Sequence, residues 1–264
     1  MIGGLPLELN AVGAIAARDF IRGFRSPTFV VINLIVPIIL MGILGGSIAQ
    51  NLGEGLAFDY MLFVLVGMIV NGIYQGAVTG ITALVEERER SFTQTIMIAP
   101  ISRYSILLGK MIGAGVGGVA AVPGFLVVAL LMGIHLEIAG LVRLLLFAPV
   151  TCLAGGSLGV IFVGFVRDPR AADMGSLLLV FPQLFVSGAL IPVRASGGVL
   201  GFMAHAMPLT YPIDLGRNAY YWDSPVRGSI VLNDPAVDLA VTLASTLAFV
   251  VIGTRLFVRT ERRR

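Results

Sequence analysis

Charge is scarce in this chain. Only 12% of its 264 residues are Asp, Glu, Lys or Arg, against roughly a quarter in an ordinary soluble domain. Lys110 is the only lysine. The few basic residues sit beside apolar runs, where topology accounts for them, and this argues against nucleic acid as a partner. Cysteine is reduced to Cys152 inside an apolar block, which excludes a disulfide framework and a CxxC metal pair. His135 and His205 are far apart and lack ligand spacing, so no metal is expected. There is no HExxH, which speaks against an intramembrane metalloprotease, and no GxxxxGK[ST] phosphate loop, so the chain is not expected to bind ATP itself. The N-terminus does not read as a signal peptide, because Glu8 and Asn10 interrupt it before any apolar core.

What is present instead is apolar. Hydrophobic residues make up 57% of the chain and the mean hydropathy is +0.94. The excess comes in blocks, and no polar stretch is long enough to build a soluble core of its own. The expected class is an all-α integral membrane protein with a single membrane domain over residues 1–264. Crossing the hydrocarbon core takes about 20 apolar residues. Six blocks qualify, near 28–49, 60–84, 106–133, 141–166, 174–193 and 237–258, the fifth short and carrying Pro182 and Pro192.

Basic residues orient the spans. With both termini in the cytoplasm, Arg18, Arg22, Arg25, Arg88, Arg90, Arg103, Lys110, Arg167, Arg170, Arg255, Arg259 and Arg262–Arg264 fall inside, which is 14 of the 18. Arg143, Arg194, Arg217 and Arg227 fall outside. A miscounted span would flip every later loop and blur this asymmetry. The outer segment 194–236 mixes apolar residues with Pro, Gly and aromatics, and is expected to hold short helices dipping into the outer leaflet, with Tyr220, Tyr221 and Trp222 at headgroup level.

Residues 7–26 precede the first span. Over 9–25, Leu9, Val12, Ala16, Phe20 and Phe24 share one helical face and Arg18, Arg22 and Arg25 the other, the pattern of a helix lying in the membrane interface. Those arginines suit anionic lipid heads or an acidic partner surface, and Ser26-Pro27 ends the helix. Asn33, Asn71, Gln75, Thr79 and Gln183 are polar at or near membrane depth, and Asn71, Gln75 and Thr79 form one stripe at four-residue spacing. Such a stripe lines a translocation path or a subunit interface, or simply bonds neighbouring helices. No ionisable residue falls in mid-span, which argues against an ion-coupled carrier. Gly42/Gly46, Gly113/Gly117 and Gly155/Gly159 permit close helix approach, within one subunit or between two.

The segment 86–100 concentrates charge: Glu86, Glu87, Arg88, Glu89 and Arg90. The first two are expected to end the second helix. Ser91-Phe92-Thr93-Gln94 then matches a capping box, opening a short helix that Pro100 closes. This helix offers Phe92, Ile96 and Met97 beside charges, the character of a protein docking knob, or of a solvated stop after a span.

Two stretches carry a resemblance. "EERERSFTQTIMIAPISRYSILLGK" is similar to the loop after the second span in permeases of the type-2 ABC exporter family, through Glu87–Arg90, Pro100-Ile101-Ser102 and Leu107-Leu108-Gly109-Lys110; Ser91-Phe92 stands where the family often has Gly-Thr. "SGALIPVRASGGVLGFMAHAMPLTYPIDLGRNAYY" resembles that family's outer segment, through Ser187-Gly188, Pro192, Pro208-Leu209-Thr210-Tyr211, Asp214 and Arg217. The resemblance implies a re-entrant outer gate at Ser187, Gly188, Pro192, Pro208, Tyr211, Asp214 and Arg217. It implies an ATPase-docking surface formed by Glu86–Arg90, Phe92, Ile96, Met97, Arg18, Arg22 and Arg25. A second permease copy and a separate ABC ATPase holding ATP and Mg are the implied partners, in the plasma membrane. The implied activity is outward movement of a drug-like amphipathic molecule or a lipid. The alternatives are export of a polysaccharide or lipid-linked glycan, a non-transporting assembly or sensor subunit, and an ion-coupled carrier.

Overall fold

The structure is a computed structural model. It describes residues 56–89, 122–166, 168–193 and 198–261, together with Asn10, Gly13, Ala14, Ala17, Ile21, Val31, Ile35, 38–43, Met111, Gly113 and Val119. Among these residues all regular structure is helical. The helices are α1 (Tyr60–Glu89), α2 (Val122–Leu131), α3 (Ile138–Leu146), α4 (Ala148–Phe165), α5 (Pro169–Val186), α6 (Gly198–Ala206), α7 (Thr210–Tyr220), α8 (Arg227–Ile230) and α9 (Pro235–Glu261).

Three stretches are long and apolar enough to cross a membrane: Tyr60–Thr82, Ala148–Phe165 and Pro235–Leu256. They match the expected second, fourth and sixth spans. Shorter apolar helices, Val122–Leu131 and Met174–Val186, lie within the third and fifth. The first span and the helix expected over 7–26 fall mostly outside the described residues, as do Arg18, Arg22, Arg25 and Asn33.

Boundaries differ from expectation in three places, each for a local reason. The second helix does not stop at Glu86 and Glu87 but runs on to Glu89. Glu and Arg are good helix formers, and an unfavourable dipole term of under about 1 kcal/mol does not stop a helix. The block 141–166 is two helices, broken at Phe147, whose N–H reaches the carbonyls of Leu144 and Leu145. Pro149 has no N–H to give Leu145 and its ring would clash there, so the helix restarts with Pro149 in its first turn. The fifth helix begins at Pro169, with the Asp168 carboxylate accepting from Ala171 N at 2.9 Å. It ends at Val186, leaving Pro192 in the turn beyond.

The core is built around α4, which packs against α1 on one side and α9 on the other. Glycines set the spacing. A Cβ on Gly155 would run into the Tyr74 backbone, and one on Gly159 would sit 3.0 Å from the Val78 carbonyl oxygen, four residues further along α1. On the far side, a Cβ on Gly253 of α9 would lie 2.7 Å from Ile161 N. The Gly155/Gly159 pair therefore packs within the chain. Helix α7 bridges α1, α3 and α9. Outward, α9 shows Leu243, Leu247 and Val251, an apolar stripe suited to lipid.

Candidate functional site

Two regions carry the polar chemistry, and α1 joins them. The first lies where α7, the turn after α5 and the start of α1 meet. Ser187 caps α5, its N–H donating to Gln183 O at 2.8 Å. Gly188 follows with φ +86°, a conformation that a side chain resists. This bend turns the chain inward, so that Ala189 and Leu190 are fully buried. Their carbonyls are then met by side chains: Arg217 donates to Ala189 O at 3.1 Å, and Tyr60 Oη to Leu190 O at 2.8 Å. Arg217 also reaches Phe63 O at 3.4 Å and lies 3.5 Å from the centroid of the Phe63 ring. Gly67 leaves room for it, since a Cβ there would lie 2.8 Å from its NH2. Burial pushes the Arg217 guanidinium down, to about 10, and Asp214 one turn earlier pulls it back up, so the cation persists at neutral pH. Burial likewise raises the Tyr221 hydroxyl above its usual range.

The rest of α7 is tied at both ends. At its start, Thr210 Oγ1 donates to Ala204 O at 2.6 Å and Tyr211 Oη to His205 O at 2.8 Å, folding α7 back on α6 through the turn at Pro208. Toward α9, Asp214 accepts the N–H groups of Leu232 at 2.9 Å and Asn233 at 2.8 Å. Asn218 donates to Asp238 at 3.2 Å and accepts from Arg227 at 3.0 Å, and Arg227 stacks 4.4 Å from the centroid of Trp222. On the α3 side, Tyr220 Oη accepts from Glu137 N at 3.0 Å, and Arg143 pairs with Asp223 and Glu137.

Of the residues expected at an outer gate, Ser187, Gly188, Asp214 and Arg217 thus come together in one buried block. Tyr211 and Pro208 form the α6–α7 corner, and Pro192 lies in the turn after α5, half-buried. Sequence reading missed Tyr60, Asn218, Arg227, Asn233 and Asp238. A signal for some of them exists: Asp214 and Asn218 are one helical turn apart, and Asn233-Asp234-Pro235 announces a helix start with Asp238 in its first turn. Asp238, at the head of α9 rather than in mid-span, is fully buried.

The second region is the polar stripe of α1. Asn71 is buried, Gln75 is half-buried and Thr79 is exposed, so the stripe runs from the core to an open face. Thr79 Oγ1 bonds back to Gln75 O and Gly76 O of its own helix. Asn71 Oδ1, Gln75 Oε1 and Gln183 Oε1 have no hydrogen-bond partner among the described residues. Gln183 Nε2 donates to Leu179 O at 3.0 Å. Past the stripe, α1 carries Glu86, Glu87, Arg88 and Glu89 on its last turns. The side chains of these four, and Arg90, Phe92, Ile96 and Met97 altogether, lie outside the described residues. Among the described residues no cluster of His, Cys, Asp or Glu is grouped to hold a metal ion.

Membrane-length helices packed around a buried polar joint are the build of a membrane-embedded protein. Comparison with known families agrees: residues 10–221 match the ABC-2 type transporter membrane family, and the chain belongs to that family. It is a permease subunit of a transporter, in a family that normally works with a separate ABC ATPase. Among curated proteins it is similar to Nodulation protein J of Rhizobium meliloti (strain 1021), 24% identical over 88% of this chain and 85% of that protein. Nodulation protein J of Rhizobium leguminosarum bv. trifolii is 26% identical over 88% of this chain and 85% of its own length. That of Neorhizobium galegae is 22% identical over 98% of this chain and 96% of its own length.

Proposed function

We propose that the chain is the membrane half of an ATP-driven exporter, moving an amphipathic small molecule or a lipid outward while a partner subunit hydrolyses ATP with Mg. Both termini face the cytoplasm of a plasma-membrane complex, and cargo passes between two permease copies. One observation carries the reading: α1 is a single helix of 30 residues, about 45 Å long. Its first turn bonds to the buried turn after α5 through Tyr60, and the Phe63 carbonyl and ring hold Arg217. Its last turns carry Glu86–Glu89. A packed helix moves as a rigid rod. A push on the charged end by a closing ATPase, at Glu86–Arg90 with Phe92, Ile96, Met97 and the arginines Arg18, Arg22 and Arg25, is delivered to the 194–236 segment at the other end. Asn71, Gln75 and Thr79 ride on the same rod and would face cargo or the second copy, as would Asn33 and Gln183.

The docking role is tested by reversing charge at Glu87 and Glu89 together (E87K/E89K). Membrane insertion should be unchanged, while co-purification of the ATPase and cargo-stimulated ATP hydrolysis in liposomes fall at least tenfold. Normal ATPase binding and transport in that variant would sink the docking role, and failure of the wild-type chain to hold any ATPase would sink the exporter reading.

A further inference from the structure

Helix α3 carries a face that the rod mechanism does not use. One side of the helix is clamped to α7. Gly140 sits under Tyr220, where a Cβ would lie 2.8 Å from the Tyr220 carbonyl oxygen, and Leu144 beside it is buried. At the head of the helix, the Glu137 N–H donates to Tyr220 Oη at 3.0 Å. On the opposite side, Ile138, Val142 and Leu146 recur at four-residue spacing and form one stripe. They are 77%, 53% and 72% exposed. A third edge is polar: Arg143 pairs there with Asp223 and Glu137, whose side chains stay 69% and 59% exposed.

Exposed aliphatic side chains disfavour water, and open carboxylates disfavour hydrocarbon. A helix that presents both on neighbouring edges suits the boundary between the two. Its place in the chain agrees. Phe147 alone separates α3 from α4, whose membrane-length run begins at Ala148. The 18 residues of α4 rise about 27 Å, nearly the roughly 30 Å of the hydrocarbon core, which leaves α3 at its edge. Trp222, next to Asp223, is exposed with Arg227 stacked on its ring, an aromatic and a cation side by side as at a headgroup layer. Lipid covers the stripe and leaves the carboxylates among headgroups and water. A flat protein partner would bury both carboxylates with only Arg143 to offset them.

We propose that α3 is an interfacial anchor. Ile138, Val142 and Leu146 rest on the acyl chains of one leaflet, and the edge formed by Arg143, Asp223 and Glu137 faces its headgroups. Through the clamp on Tyr220, that leaflet holds α7 in place. The lipid contact stands without the permease reading; naming the leaflet as the outer one rests on it.

The test uses the full chain in phosphatidylcholine nanodiscs. Trp222 is the only tryptophan, so W222F/V142W carries a single emitter on the stripe. Phosphatidylcholine brominated in mid-chain should quench it at least about twofold relative to the unbrominated lipid, because bromine quenches only on contact. Absence of quenching overturns the lipid contact. C152A/V142C keeps one thiol and should stay monomeric on oxidation. A disulfide-linked dimer would show a second copy on the stripe and overturn the contact as well. The anchor is read by hydrogen exchange at the Glu137 amide. V142D, which sets a charge among the acyl chains, should exchange there at least about tenfold faster than V142A, whose stripe stays apolar. Equal exchange in the two would overturn the anchor. None of these readouts involves the ATPase, so failure here and failure of the exporter reading are separable.

Discussion

Replacing Gly155 by Ala tests whether the close approach of α4 and α1 holds the core together. A Cβ at Gly155 would stand 3.0 Å from the Tyr74 carbonyl carbon and 3.1 Å from its Cα. Ordinary carbon contacts are about 3.5–4.0 Å, so the two helix backbones must part by about 0.5–1 Å. The neighbour Gly156 provides the control. There the three atoms nearest a Cβ all belong to the Met111 side chain, its Cγ at 3.0 Å, and a methionine turns aside easily. Both sites lie within α4, so each variant gains the same helix propensity of about 1 kcal/mol. That gain cancels in the comparison. What remains is overpacking against a backbone that cannot rotate away, about 1–3 kcal/mol, or about 2–12 °C in melting temperature for a chain of this size. The assay is thermal unfolding in one detergent, read by intrinsic fluorescence and by retention of the monodisperse peak. G155A should melt below G156A by that margin. G155A melting at or above G156A would refute the claim that the α1–α4 backbone contact sets the packing.

Two more predictions follow from the buried joint and from α5. Arg217→Met keeps apolar bulk but leaves the Ala189 and Phe63 carbonyls without their donor, and should destabilise by about 2–4 kcal/mol. Arg217→Lys, retaining one donor, should lose less; thermal unfolding and transport measured side by side on both variants check the order. Asp168→Ala removes the carboxylate that accepts from Ala171 N and should cost about 1 kcal/mol, seen as faster amide exchange at Ala171 with little change at the α1–α4 contact.

Several features were legible in the residues. Apolar blocks at 60–84, 141–166 and 237–258 announced the membrane-length helices, because a span needs a continuous apolar run that no surface segment would tolerate. Asp168-Pro169 carries the signal of a capped helix start, which the expected start at 174 passed over. The motif residues Ser187-Gly188, Asp214 and Arg217 pointed to a special segment, yet without their partners. Those partners are backbone carbonyls at Ala189, Leu190 and Phe63, and a carbonyl has no sequence signature. The break at Phe147 was missed because an amphipathic helix and a span, joined end to end, give one uninterrupted apolar block.

The sequence by itself determined the class of molecule, the helical class and the rough place of each described span, since hydropathy and local breakers act over neighbouring residues alone. The tertiary structure decided what those elements do to one another. It assigned Gly155 and Gly159 to packing inside the chain rather than between copies. It brought the turn after α5 under Arg217 and Tyr60, and it set Asp238 of the last helix against Asn218 and Asn233. Each of these outcomes depends on distance in space between residues far apart in the chain, where burial and the absence of water give a single hydrogen bond or charge its weight.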